Sequence, residues 1–165
     1  MRHWYVVRSQ PHAERRARDS LERQGFEAWL PLCQRRRRHA RKMEIVLRPL
    51  FPRYLFVAID LETKPWRAML STFGVASVIQ GPKGPVPVPE AVIEGLRARA
   101  DAEGVIDRGA ADYQAGAKIR ITSGAFTDVE GIFQARTDTE RVAILLTLMG
   151  HAVRVTVPEG DIEPV

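Results

Sequence analysis

The sequence predicts an α+β domain, a sheet with packed helices, followed by a small β-barrel. The first hundred residues alternate between segments with strand-like and helix-like hydrophobic periodicity. A segment without periodicity follows, and after it come short alternating strands separated by glycines, which are typical of a small and highly curved barrel. We therefore expect one domain at 1–102, a linker at 103–113 and a second domain at 114–165.

Length and composition narrow the class of protein. The 165 residues suffice for one ordinary domain or two small ones, and 45% hydrophobic with 27% charged residues is typical of a folded soluble chain. No window approaches 18 consecutive apolar residues and no signal peptide is recognisable, so we expect a cytoplasmic monomer without a membrane partner. One cysteine and four scattered histidines offer no disulfide and no metal-ligand spacing, and we expect no cofactor.

The charge is unevenly distributed along the chain. Residues 1–60 carry 14 basic against 6 acidic side chains, a balance of +8, while residues 61–165 have a balance of −3. A basic region of this kind favours polyanions through counterion release and electrostatic steering. The charge pattern therefore indicates nucleic acid as the first partner to consider.

The first elements are a strand and a helix. The β-branched and aromatic residues 4–7 predict a strand that enters a turn. Pro11 suits a first helical turn, Ala17 and Leu21 repeat at four-residue spacing, and Gly25 supplies the C-terminal stop.

A strand-rich segment follows. Residues 26–32 predict a strand, and the basic run at 35–42 is so charged that it predicts an exposed hairpin tip. Two further strands are expected at 43–50 and 51–59, with their join at an edge or a bulge because prolines flank it.

The rest of the first domain is predicted to contain two helices and one strand. We expect a short helix at 64–70, a strand at 75–79 and a helix at 90–102. Residues 81–89 contain four prolines and two glycines, which predicts a loop without regular structure.

Two motifs give the sequence a family likeness. Residues 49–57 read Pro-Leu-Phe-Pro-Arg-Tyr-Leu-Phe-Val, and with the Trp-Tyr that opens the first strand they resemble the N-terminal domain of the NusG/RfaH family of transcription elongation factors. The C-terminal part resembles the family's KOW module, an SH3-like barrel. Its matching positions are Gly116, Ile119, Ile121, Gly124, Phe126 and Gly131.

The resemblance implies a non-enzymatic factor that binds RNA polymerase and suppresses pausing. In the family, an apolar depression docks on the clamp helices of the largest polymerase subunit. By motif match the docking residues are Val6, Phe51, Pro52, Tyr54 and Phe56. Alternate residues of one strand face opposite ways, so we expect Leu55 and Val57 to be buried and the Tyr54/Phe56 pair to be partly exposed.

The resemblance also implies contact with the non-template DNA strand. The residues concerned are Arg16, Arg23, Gln24 and Thr72. Arginine and glutamine bond both phosphate oxygens and base edges, which suits an accessible single strand. The alternative is a solvated helix face supported by four-residue ion pairs. For Arg35–Arg38, a DNA clamp and a solvated tip remain equal alternatives.

The KOW module implies a second partner, for which ribosomal protein S10 or the termination factor Rho are the candidates. We favour a specialised paralogue over a housekeeping member, and the alternative is a KOW-containing RNA-binding ribosomal or assembly factor. Two positions depart from the specialised pattern. Phe73 stands where DNA-reading members place an arginine, and Arg48 stands where they use an acid to hold the two domains together, so only a partner of reversed charge could pair with it.

Residues 139–149 suit two structures. Val142, Ile144, Leu146 and Leu148 share a face of a strand, whereas Val142, Leu145, Leu146 and Met149 share a face of a helix. One subfamily is known for a KOW module that switches between these forms. We expect mainly barrel, because a helix is weakened by glycines and β-branched residues elsewhere in the module: Gly124, Gly131, Gly150, Ile119, Ile121, Val153, Val155 and Val157.

Overall fold

The computed structural model describes residues 1–106, 132 and 137–150, and all of their side chains except those of residues 36, 37 and 39. The strands, in chain order, are β1 (His3–Ser9), β2 (Glu27–Trp29), β3 (Leu32–His39), β4 (Lys42–Pro49), β5 (Tyr54–Ile59), β6 (Val75–Val78), β7 (Gln80–Gly81), β8 (Gly84–Pro85) and β9 (Val105–Ile106). The helices are α1 (Glu14–Arg23), a 3₁₀ helix (Trp66–Ser71), α2 (Glu90–Ala98) and α3 (Asp138–Leu148).

The centre of the domain is a four-stranded sheet in the order β2-β5-β1-β6. β1 runs antiparallel to both β5 and β6, and β5 runs antiparallel to β2. The β-branched and aromatic residues of β1 and β5 favour this extended pairing. The α+β fold predicted for the N-terminal domain is confirmed.

Helices cover both faces of this sheet. On one face, Leu55 and Val57 pack with Ala17 and Leu21 of α1 and Met69 of the 3₁₀ helix. On the other face, the core joins β1 and β5 to α2 and α3. The buried residues that carry this second core are Val6, Phe51, Phe56, Val92, Ile93, Leu96, Ile144 and Leu145.

The basic run lies in a strand rather than in a tip. β3 and β4 pair over eight residues from Leu32↔Pro49 to His39↔Lys42, so the turn consists of Ala40 and Arg41 alone. Both have positive φ, 47° and 68°, as a tight two-residue hairpin turn requires. The turn lies within 35–42 as expected, whereas the tip is shorter than expected, because the cross-strand ladder continues through the arginines.

Two other segments are more regular than expected. β7 and β8 form a small hairpin that overlaps the expected loop at 81–89, since a ladder as short as Gln80↔Pro85 and Gly81↔Gly84 can end at a proline. Val105 and Ile106, which the sequence assigned to the linker, form β9 and pair in parallel with Leu32 and Cys33. Residues 107–113 of the linker lie outside the described part of the chain.

Among the glycines in the described part of the chain, Gly74 leaves the least room for a side chain. It has φ of +91°, and a Cβ built there would lie 2.9 Å from the backbone nitrogen of Ala17 in α1. We expect Gly74→Ala to lower the free energy of unfolding by about 3 kcal/mol, since the left-handed backbone and the overpacking both oppose a side chain. Urea denaturation of the full chain measures this loss.

Gly84→Ala is the matched control for that measurement. Gly84 also has positive φ, +112°, but no atom lies within 4 Å of a Cβ built on it. We expect a loss of only about 1 kcal/mol, from the backbone alone. Equal losses at the two positions would show that the approach of α1 to Gly74 is not what excludes the side chain.

Candidate functional site

The five predicted docking residues lie on or beside one face of the central sheet. Val6 of β1 and Phe56 of β5 are paired in register. Phe51 contacts Phe56 edge to face, with ring centroids 5.9 Å apart, and Pro52 and Tyr54 follow in the turn and at the start of β5. We call these five residues the docking patch.

α3 packs on the docking patch, in a core that also contains α2. Phe51 and Phe56 are 0% and 1% exposed, and they share one buried cluster with Ile144, Leu145 and Met149. The expectation that Phe56 is partly exposed is therefore wrong, whereas Leu55 and Val57 are buried as predicted. Tyr54 and Pro52 are half-buried. The physical reason is that a second helix occupies the face that the sequence left open.

The helix α3 begins at a complete capping box. The Thr137 hydroxyl accepts a hydrogen bond from the Glu140 backbone N–H at 3.1 Å, and the Thr137 backbone N–H donates to the Glu140 carboxylate at 3.3 Å. Ile144 and Leu145 of the helix are buried against the sheet. For residues 139–149, the expected strand is therefore wrong, because the cap and this burial favour a helix.

Arg141 anchors α3 to the sheet domain. Its side chain is 1% exposed, and its Nε–H donates to the carbonyl of Leu50 at 2.9 Å. Its terminal nitrogen pairs with Asp138, one turn earlier in the helix. A buried guanidinium without such partners would strongly destabilise the contact between α3 and the sheet domain. Arg141 can be buried there because these two groups pair with it.

Asp138 also pairs with Arg48 of β4, with 3.6 Å between the guanidinium nitrogen and the carboxylate oxygen. The cation is on the sheet domain and the acid on the C-terminal segment. This is the reversed polarity that the sequence left open at Arg48. Both side chains are partly exposed, so the pair contributes modestly to stability.

The predicted DNA-contacting residues gather on the exposed side of α1. Gln24 donates from Nε2 to the Thr72 hydroxyl oxygen at 2.8 Å, and that hydroxyl donates to the carbonyl of Ala68 at 3.0 Å. Thr72 is only 4% exposed, so it orients the side chain of Gln24 and offers almost no surface of its own to a ligand. Arg16 and Arg23 are exposed and lie seven residues apart on the helix.

Phe73 completes this surface. It is 68% exposed, and the guanidinium carbon of Arg16 lies 5.1 Å from the centre of its ring. An exposed ring under an arginine is a cation–π pair that presents an aromatic face to solvent. We call Arg16, Arg23, Gln24 and Phe73 the basic face.

Sequence reasoning missed several of these residues. The exposure of Phe73 depends on the tertiary position of the turn before β6 and leaves no local signal. The burial of Arg141 likewise depends on the sheet beneath it. The beginning of α3, by contrast, had a signal: Thr137 followed three residues later by Glu140 is a capping-box pattern.

Other expected sites receive no structural description. The KOW-motif residues from Gly116 to Gly131 lie outside the described residues.

Within the described part, no three or more His, Cys, Asp or Glu side chains are grouped so that they could hold a metal ion. No helix in that part is long and apolar enough to cross a membrane.

The chain resembles known proteins along most of its length. It is 26% identical over 174 aligned positions to the transcription termination/antitermination protein NusG of Thermus thermophilus, and the alignment covers 92% of each chain. It is 23% identical to the protein of the same name from Haemophilus influenzae, over 98% of this chain and 94% of that one. The structure described as "Domain interaction in Thermotoga maritima NusG" aligns with 58% of this chain and 55% of that chain, at 20% identity and a TM-score of 0.43.

A family comparison confirms the resemblance noted in the sequence. The model described as "Transcription termination factor nusG" matches residues 2–97, the strands and helices from β1 through most of α2. This match spans more than half of the 165 residues. The chain therefore belongs to the NusG family of transcription termination and antitermination factors.

Proposed function

We propose that this chain is a specialised NusG-family factor that binds RNA polymerase through the docking patch only after α3 has left it. The observation that carries the proposal is the burial of Phe51 and Phe56 under α3. A surface covered by the factor's own chain is available to a partner only in the fraction of molecules that are open. This limits recruitment and favours a specialised role over a housekeeping one.

The docking patch is suited to a helical partner. It already accommodates one helix, α3, whose Ile144 and Leu145 pack beside Phe51 and Phe56. Aromatic residues supply a large contact area with few rotatable bonds, which is how interfaces concentrate binding energy. We propose that the clamp helices of the largest polymerase subunit occupy the place that α3 vacates.

The basic face is proposed to contact the exposed non-template DNA strand. Arg16 and Arg23 supply charge for phosphates, and Gln24 supplies donors and an acceptor for base edges. The ring of Phe73 supplies a surface on which one base can stack. Since Phe73 replaces the arginine of the specialised DNA-reading members, stacking would contribute more to recognition here than hydrogen bonding does.

The C-terminal segment is proposed to recruit a second partner once it is released. Its apolar residues between Val142 and Leu148 suit a strand as well as a helix, so release from the sheet domain would allow the KOW-type barrel to form. Ribosomal protein S10 and Rho remain the proposed partners of that barrel.

In vitro transcription with purified bacterial RNA polymerase tests the proposal. The intact chain is expected to reduce pausing on templates that carry one particular non-template sequence and to leave other templates unchanged. An equal effect on every template would overturn the specialised role. An absence of any effect, even from a variant in which α3 is displaced, would overturn polymerase binding itself.

The contribution of the basic face is tested in the same assay. Arg16→Ala combined with Phe73→Ala is expected to reduce the effect on pausing about tenfold or more, since one stacked base alone contributes about 1–3 kcal/mol. Lys83→Ala is the control, because Lys83 is an exposed cation on another part of the domain. Equal losses for the two variants would indicate general electrostatic attraction only.

A further inference from the structure

A cavity lies between the beginning of α1 and the base of the β3–β4 hairpin. Its volume is about 490 Å³; it shares only Pro52 with the docking patch and no residue with the basic face. Part of its lining is apolar and consists of Pro11, Leu47, Pro49 and Pro52. The position next to β4 places it beside the Arg48–Asp138 ion pair.

The rest of the lining is mainly cationic. Arg15, Arg48 and Arg53 contribute three positive charges against the single carboxylate of Glu14. One terminal nitrogen of Arg15 donates a hydrogen bond to the Leu47 carbonyl at 2.9 Å. Each guanidinium carries five N–H donors, so several donors remain for an anion in the cavity.

Two residues of the lining have an uncommon backbone. His12 and Arg53 have φ of 58° and 74°, in the left-handed region that residues other than glycine rarely adopt. Arg53 is held there by its backbone N–H, which donates to Glu14 at 3.1 Å, and by its guanidinium, which donates to the Ser9 carbonyl at 3.3 Å. Such conformations concentrate at ligand sites, where the surrounding structure holds them.

We propose that this cavity binds one nucleotide, as a free mononucleotide or as a unit of a single strand. A nucleotide joins a flat base to an anionic phosphate, and the cavity joins an apolar lining of three prolines and one leucine to a group of arginines. Arginine binds phosphate oxygens through paired N–H donors, and an apolar wall with a few polar groups is the usual composition of a ligand pocket.

Nucleotide binding is linked to the position of α3 through Arg48. The guanidinium of Arg48 pairs with Asp138 of α3, and a phosphate in the cavity would compete with that carboxylate. Binding and the seating of α3 therefore weaken each other, and linkage requires this effect to be reciprocal. The coupling rests on the proposed function of α3 as a cover, whereas the binding of the nucleotide does not.

The test is an NMR titration of the ¹⁵N-labelled full chain without polymerase. The probes are thymidine 5′-monophosphate, a five-residue oligothymidylate and inorganic phosphate. The proposal expects both nucleotide probes to shift the backbone amides of Arg15, Leu47 and Arg48. Tighter binding of the oligothymidylate would identify a strand as the source, and equal binding a free nucleotide. Equal affinity for inorganic phosphate, or shifts confined to the basic face, would overturn the nucleotide site.

Variants that remove one charge test whether nucleotide binding and the seating of α3 oppose each other. Arg48→Gln is expected to weaken nucleotide binding about tenfold, against no more than a twofold change for Lys83→Gln. Asp138→Asn, which frees Arg48 and also removes a partner of the buried Arg141, is expected to tighten binding up to about fivefold, more than Glu62→Gln does. Equal effects of Asp138→Asn and Glu62→Gln would overturn the coupling but not the nucleotide site itself. Because polymerase is absent, none of these results depends on polymerase binding.

Discussion

Leu145→Asp is expected to raise the affinity of the chain for RNA polymerase at least tenfold. Leu145 is 0% exposed in the cluster that joins α3 to the docking patch. A carboxylate there loses its hydration without gaining a partner among apolar side chains, so α3 leaves the sheet domain. A closing free energy of only about 1.4 kcal/mol corresponds to a tenfold loss of affinity, which the variant abolishes.

Fluorescence anisotropy with labelled full-length chain and purified polymerase measures this change. Thr139→Asp is the matched control, because it adds the same charge to the same helix at an exposed position. It also lies in the first turn of α3, where an acid is compatible with the helix dipole. Unchanged polymerase affinity in Leu145→Asp, with the amide signals of α3 shifted, would show that α3 leaves but does not restrict docking.

Tyr54→Ala is expected to weaken polymerase binding by the opened chain at least tenfold while leaving the domain folded. Tyr54 is half-buried at the start of β5, so its removal leaves only a partial cavity. An aromatic anchor at the centre of an interface commonly contributes 2 kcal/mol or more, which corresponds to about thirtyfold in affinity. The measurement uses the Leu145→Asp background, since the covered chain would mask the effect.

Two other substitutions are controls for Tyr54→Ala: one keeps the aromatic ring and the other is expected to destabilise the fold. Tyr54→Phe keeps the ring and is expected to bind within about threefold of its parent, because the contact is mainly apolar. Phe56→Ala is expected to lower the free energy of unfolding by about 3–5 kcal/mol, since Phe56 packs between Trp29 and Phe51 at centroid distances of 5.7 and 5.9 Å. If Tyr54→Ala destabilised the domain as much as Phe56→Ala does, lost binding would report unfolding rather than docking.

Much of the first domain could be predicted from local patterns. The alternation in β5 identified Leu55 and Val57 as buried, and the spacing of Ala17 and Leu21 identified the buried face of α1. These predictions hold because a strand or a helix shows one face to a core whatever that core contains. The pattern could not show that Phe56, on the other face of β5, is buried as well. An aromatic residue on that face suits either a partly exposed surface or a second apolar layer.

The basic run and the proline-rich loop are both more regular than their local patterns predict, and the cause is the same. Charge favours an exposed tip and prolines favour a loop, yet neither prevents pairing when the opposite strand is in register. The ladder from Leu32↔Pro49 to His39↔Lys42 runs through four successive arginines. Arg35 and Arg38, which lie at odd and even positions and so on opposite faces of the arm, are both exposed. Cross-strand register is a property of two distant segments, and no single window of sequence contains it.

The sequence by itself determined the family and the concentration of positive charge in the first 60 residues. Only the tertiary structure decided that the patch is covered and that residues 138–148 are helical. The physical reason is that the apolar residues of this segment suit periods of both 2 and 3.6, so its local pattern is nearly neutral between strand and helix. The choice then depends on what it packs against, here Phe51 and Phe56, with Arg141 bonded to the carbonyl of Leu50.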